Sequence, residues 1–347
     1  MASRLDALQT VVNVGSQGPG VPKLGDVLRE ARPIASPVAT SADDPAMLIY
    51  TSGTTGDPKG ALHAHRFLIG HLPSVEMYLE RFPQPNDIAW TPADWAWIGG
   101  LMDLAMPALY FGVPLVSHRM RKFEPDQAFN LIKEYRISSM FLPPTALKLL
   151  RQVTVPDGLM VRAIGSGGES LSADLLDWGR DRLRAPINEL YGQTECNLVI
   201  SSSVGLGVLR PGTMGMPVPG HRLAILDEKG APVPTGTVGE IAVSRPDPVM
   251  FLGYWNQPEK TAGKFSGDWM RTGDLGHMDA DGYITYASRD DDVITSAGYR
   301  IGPTEIENCL TGHPDVSMAA AVGLPDPVRT ESVTAFVVLR ESASRDG

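Results

Sequence analysis

Residues 46–60 read AMLIYTSGTTGDPKG. The first five are apolar and of strand length, and they run directly into a loop that holds Gly53, Gly56, Gly60 and Lys59. Thr51, Ser52, Thr54 and Thr55 add four hydroxyls to that loop. Glycines let a backbone come close to a ligand, hydroxyls donate hydrogen bonds and a lysine supplies positive charge, which together suit a polyphosphate. The spacing is not that of the common nucleotide loop, G-x-x-x-x-G-K-[ST]. The plain alternative is a Gly/Thr-rich surface turn.

Outward from this loop, short apolar runs alternate with helical periodicities as far as residue 191. This is the pattern of a mostly parallel sheet with crossover helices. Strands are predicted at 46–50, 88–91, 114–117, 139–142, 161–164 and 187–190. A helix over 124–136 places Phe129, Ile132 and Tyr135 on one face, and another over 173–183 does the same with Leu175, Leu176 and Leu183. Beyond Arg210, Pro/Gly-punctuated strands with turns at 229–230 and 235–236 predict a small antiparallel β subdomain. A helix at 303–310 and strands at 318–322 and 332–339 complete the reading. The fold class is α/β followed by antiparallel β and a truncated α+β piece, with boundaries at 1–205, 206–288 and 289–347.

Composition narrows the function. The formal charge is −10 and basic residues are scattered, so nothing attracts nucleic acid or an anionic membrane surface. Cys196 and Cys309 stand far apart and outside any metal-ligand spacing. The N-terminus lacks a signal-peptide pattern and no apolar run of about 18 residues occurs, which reads as soluble and cytoplasmic.

Further candidate segments follow. Ser166-Gly167-Gly168-Glu169 comes after a strand, Tyr191-Gly192-Gln193-Thr194-Glu195 after Glu189-Leu190, and Arg271-Thr272-Gly273-Asp274 lies in the β-rich part. Glu195 beside a triphosphate makes sense if a metal bridges the two anions, or it is a solvated helix-start glutamate. Tyr191 is a ring for stacking or a core residue, and Asp274 is a ligand group or a turn cap. Three tryptophans within 90–97 (WTPADWAW) are a substrate wall or ordinary packing.

Taken in order, these segments resemble the acyl-adenylate-forming superfamily of acyl-CoA synthetases, peptide-synthetase adenylation domains and beetle luciferases. The resemblance implies ATP/AMP, Mg2+ and coenzyme A as cofactors and a small carboxylic acid as substrate. It gives residues 51–56 and Lys59 to the phosphates, and Gly167, Gly168, Glu169, Glu189, Leu190 and Tyr191 to adenine. Gly192, Gln193 and Thr194 complete that segment, Thr55 and Glu195 hold Mg2+, and Asp274 and Arg289 hold the ribose. Thr55, Lys59, Thr194 and Glu195 would be catalytic. The segment RDDDVITSAGYRIGPTEIE (289–307) resembles the interdomain hinge, centred on Asp291, with Gly298 and Arg300 facing CoA.

The tryptophan segment is similar to that of acetyl- and medium-chain acyl-CoA synthetases, which puts Trp97, Ile98, Gly99 and Gly167 beside the acyl chain. Acetate-specific members carry Trp where this chain has Gly192, so the resemblance implies an acid longer than acetate. Three departures stand against it. Full-length members carry a long segment ahead of the phosphate loop, Ser288 and Ala297 replace the usual Gly and Ser, and no lysine follows Lys264. These departures leave a non-catalytic nucleotide-binding remnant as the alternative, and surface exposed by truncation would favour self-association or pairing with another chain.

Overall fold

The computed structural model describes residues 12–14, 21–34, 36–51, 58–169, 171–296, 299–326 and 329–340. The chain forms two compact units, Met1–Ser41 and Ala42–Gly347. In the first, the short helix Leu24–Glu30 buries none of its residues and follows a parallel bridge between Asn13 and Lys23.

In the second unit, β1 (Pro45–Thr51) and β2 (Lys59–Ala64) pair antiparallel, with Thr51 opposite Lys59. Strand β1 therefore does not join the parallel sheet, contrary to expectation. The seven residues between the two strands can join antiparallel neighbours, whereas a parallel crossover needs a dozen or more.

The large sheet is built from β3 (Ala89–Trp90), β4 (Leu115–Val116), β5 (Ser139–Phe141), β6 (Ala163–Gly167), β7 (Ile187–Gln193), β8 (Asn197–Ser201) and β9 (Met216–Pro217), in the order β4-β3-β5-β6-β7-β8-β9. Pairs from β4 to β7 are parallel, and β8 and β9 run antiparallel. Both faces are covered, which is why these strands read as continuous apolar runs. Helices Pro125–Glu134 and Ala173–Trp178 cover one face, where Phe129, Ile132, Leu175 and Trp178 pack on Trp90, Met140, Ile164 and Ile187. Helix Arg66–Tyr78 and the helical run 98–111 cover the other, with Val75, Tyr78 and Leu104 against Phe141 and Leu190. Tyr135 is exposed because its helix stops at Glu134.

Strand β6 begins two residues later than the predicted 161–164, because Arg162 is used as a pin. Its guanidinium donates to both oxygens of Asp87, at 2.9 and 2.6 Å, and to the carbonyls of Leu79 and Glu80, at 2.7 and 3.0 Å. Cutting one member of so enclosed a pair strands the other charge. Within β6, Gly165 lies so close to Tyr78 that a Cβ would stand 2.4 Å from its ring.

The antiparallel part contains β10 (Leu223–Leu226), β11 (Gly239–Ser244), β12 (Gly253–Tyr254), β13 (Phe265–Ser266), β14 (Trp269–Met278) and β15 (Ile284–Arg289). Strand β12 pairs with β2, and the others form one sheet around β11 and β14. Gly230 and Gly236 adopt the positive φ that the predicted turns require. A last sheet combines β16 (Ile294–Ser296), β17 (Tyr299–Ile301), β18 (Val316–Asp326) and β19 (Thr330–Leu339), with helix Pro303–Thr311 packed on β18. Among the described residues, no helix is long and apolar enough to cross a membrane.

Candidate active site

The C-terminal ends of β6 and β7 open into a cleft of about 1130 Å3, where Gly168, Glu169, Glu189, Leu190, Tyr191, Gly192 and Gln193 meet Asp274 and Arg289. Gly168, at φ +93, turns the chain sharply after β6. Glu169 accepts a hydrogen bond from the Thr145 hydroxyl at 2.9 Å and lies 3.6 Å from Lys148 Nζ. Opposite this wall stand Glu307, Met318 and Arg340 of the C-terminal sheet and its helix.

Asp274 organises the cleft. Its Oδ2 accepts from the Tyr191 hydroxyl and from Gln193 Nε2, both at 2.7 Å, and Gln193 also donates to the Thr272 carbonyl at 2.7 Å. Arg289 is its direct partner across β14 and β15, with Nη1 3.7 Å from Oδ1. Burial raises the Asp274 pKa, opposed by the Tyr191 hydrogen bond and the Arg289 charge. Burial also pushes Glu189 up to about 8 against one backbone N–H, from Leu171. Its carboxyl is then largely protonated at neutral pH and can donate as well as accept.

A second group gathers where β2, β12 and the β7–β8 connection meet. Thr194 and Glu195 occupy that connection. The Tyr254 hydroxyl donates to Glu195 Oε1, and Lys59 Nζ lies 5.3 Å from the centroid of the same ring. Lys59, Ala61 and His63 share one face of β2 by strand alternation. His63 is fully buried and stacked on Phe67, with centroids 4.0 Å apart. Burial lowers its pKa to about 4, opposed by the Thr194 carbonyl and helped by the Arg66 charge.

Trp97 stands over both Gly99 and Gly168. The Trp97 ring tilts against Phe141 at 5.7 Å and lies 3.6 Å from where a Gly168 Cβ would stand. Gly192 lines the cleft beside Tyr191 and Gln193. A Cβ there would fall 1.7 Å from the Asn197 carbonyl oxygen, so what the absent side chain accommodates is the backbone of β8 at the Tyr191/Gly192 bulge.

Ser52, Gly53, Thr54, Thr55, Gly56 and Gly298 lie outside the described residues. Thr51 ends β1, where its hydroxyl is 3.4 Å from the Lys59 carbonyl. Asp291 lies in the turn Asp290–Asp292, which links β15 to β16 and so joins two sheets, and Arg300 is on β17. Tyr254 and His63 escaped the sequence reading. His63 becomes visible once residues 59–64 are read as a strand, but Tyr254 carries no local signal.

Among the described residues, no three His, Cys, Asp or Glu side chains gather as a metal cage. A lone buried carboxylate, Glu195, whose second oxygen has no hydrogen bond among the described residues, fits a cation shared with substrate phosphates.

Known proteins share this sequence family and this fold. The AMP-binding enzyme family matches residues 4–255, and the AMP-binding enzyme C-terminal domain matches residues 305–346. An uncharacterized acyl-CoA ligase of Bacillus subtilis, YtcI, is 35% identical over 88% of this chain and 58% of its own length. The human mitochondrial acyl-coenzyme A synthetase ACSM3 is 33% identical over 98% of this chain and 58% of its own. This chain thus spans little more than half the length of these relatives. Among solved structures, ATP-bound MatB from Rhodopseudomonas palustris superposes with a TM-score of 0.85 at 31% identity, over 94% of this chain and 64% of its own. The anthranilate CoA ligase AuaEII in complex with anthranoyl-AMP gives 0.88 at 27%, over 99% and 66%.

Proposed function

Since the chain belongs to the family of AMP-binding enzymes, we propose that it carries the nucleotide and acyl sites of an ATP-dependent acid:CoA ligase. In the reaction, a carboxylate oxygen attacks the α-phosphorus of ATP and pyrophosphate leaves. The CoA thiol then attacks the acyl carbonyl, forming the thioester and releasing AMP.

The observation that carries this reading is the convergence of Tyr191, Gln193 and Arg289 on Asp274 at the rim of the cleft. A carboxylate held in this way is an acceptor for the paired ribose hydroxyls. Glu189 and Tyr191 stand ready for the purine. Lys59 offers positive charge to the phosphates, the kind of preorganised electrostatic group that dominates such catalysis. Mg2+, held by Glu195 and Thr55, would neutralise phosphate charge.

We further propose an acid larger than acetate. The support is the Trp97 ring beside Gly99 and Gly168, together with the likeness to AuaEII, a ligase of anthranilate, an aromatic acid. The test is to supply ATP, Mg2+ and acetate, butyrate, octanoate or anthranilate in turn, and to follow acyl-AMP by mass spectrometry. Acyl-AMP from the larger acids is the expected result. Acyl-AMP from acetate alone would refute the size assignment, and none from any acid while AMP still binds would favour a nucleotide-binding remnant.

A further inference from the structure

Lys59 and Glu195 carry opposite charges and share one corner of the site, yet no ion pair joins Lys59 to any described carboxylate. Tyr254 touches both: its hydroxyl donates to Glu195 Oε1, and the Lys59 ammonium lies 5.3 Å from its ring centroid. Tyr254 itself is buried, at 6% exposure.

We infer that Tyr254 is a positioning residue that holds Glu195 and Lys59 apart and aims each at the nucleotide, an inference that rests on the ATP-site reading above. A hydrogen bond on Oε1 fixes the rotation of the carboxylate and leaves Oε2 as the acceptor presented to a divalent cation on the triphosphate. The ring face attracts the ammonium by cation–π interaction without neutralising it. Lys59 therefore keeps its full charge for phosphate and does not collapse onto Glu195. The chelating carboxylate and the phosphate-facing cation are set by one side chain.

The backbone around Tyr254 does not depend on its hydroxyl. Strand β12 is fastened to β2 by Leu252 N–H to the Leu62 carbonyl and by Trp255 N–H to the Gly60 carbonyl, each at 2.7 Å. Phe251 N–H holds the Glu195 carbonyl at 2.8 Å, and Tyr254 N–H donates to the Thr261 hydroxyl at 2.9 Å. Removing the hydroxyl alone therefore leaves the frame in place, which makes Tyr254→Phe an informative variant.

The experiment uses Mn2+ as a spectroscopic probe. Free Mn2+ is measured by electron paramagnetic resonance while the full chain is titrated in the presence of ATP, and ATP affinity is measured separately in EDTA. Tyr254→Phe should weaken Mn2+ retention in the ATP complex by about ten- to a hundred-fold, the range for a hydrogen bond to a charged group. Metal-free ATP affinity and the unfolding midpoint should stay unchanged. In a Glu195→Gln background the same substitution should have almost no further effect on Mn2+, because the pair is coupled.

Equal Mn2+ retention in wild type and Tyr254→Phe would overturn the inference. So would an equal loss of metal-free and metal-bound ATP, or a Tyr254→Phe effect that persists undiminished in Glu195→Gln. A wild-type chain that binds neither ATP nor AMP would instead defeat the nucleotide reading itself.

Discussion

Both ring nitrogens of His63 are buried without a well-formed hydrogen bond, and the imidazole is held neutral with a pKa of about 4. In the unfolded chain the same group titrates near 6.5. Between these values the unfolded state binds more protons, so stability contributed by neutral His63 is complete above about pH 6.5 and is lost as the pH falls towards 4. At pH 5 the loss is roughly 2 kcal/mol. His63→Phe, which keeps a ring on Phe67, should flatten the dependence of the urea midpoint on pH across this window. Parallel profiles for wild type and variant would show that His63 is not buried neutral. Glu189 works in the opposite sense: its raised pKa contributes stability that is present at low pH and lost as the pH rises through about 8. Glu189 lines the cleft from β7, while His63 is buried on β2, so side chains kept uncharged near neutral pH stand alongside the charged Lys59.

At the scale of elements, the bulge where β7 leaves the sheet decides where Tyr191, Gln193 and Glu195 point. Gly192 permits that bulge, since any Cβ would overlap the Asn197 carbonyl at 1.7 Å and the Leu198 Cα at 2.8 Å. Gly192→Ala should therefore destabilise the chain by about 1–3 kcal/mol, the usual cost of overpacking, and should weaken AMP binding as well. An alanine variant with an unchanged urea midpoint would mean that β8 yields freely.

Much of the α/β framework was legible, because strands such as 139–142 are short, largely apolar and buried on both faces. What escaped depends on partners remote in sequence. Periodicity cannot say that 46–50 pairs with 59–64. Gly70 and Pro73, both poor helix formers, lie inside the unbroken helix Arg66–Tyr78 and mask its signal, and nothing within residues 251–256 announces that Tyr254 will meet Glu195. The site motifs were legible because they are local runs. The bond that links Tyr191 to Asp274 joins residues 83 apart and was not.

Over the whole second unit, the cleft lies between the end of the parallel sheet and the C-terminal β18–β19 hairpin, with the turn Asp290–Asp292 as the crossing between sheets. That hairpin leaves one face apolar: Met318 lies opposite Val338 and Ala320 opposite Phe336, with Met318, Val338 and Phe336 more than half exposed. Such a face invites association with other apolar surface.

The central claim is that residues from β6, β7, β14 and β15 form one AMP site. Calorimetric titration of the chain with AMP, alongside Asp274→Ala, tests it most directly. One AMP should bind per wild-type chain, with an affinity about ten- to a hundred-fold weaker in a folded Asp274→Ala, as befits loss of a charged acceptor. Equal affinity in the two proteins, or no binding to the wild type, would contradict it.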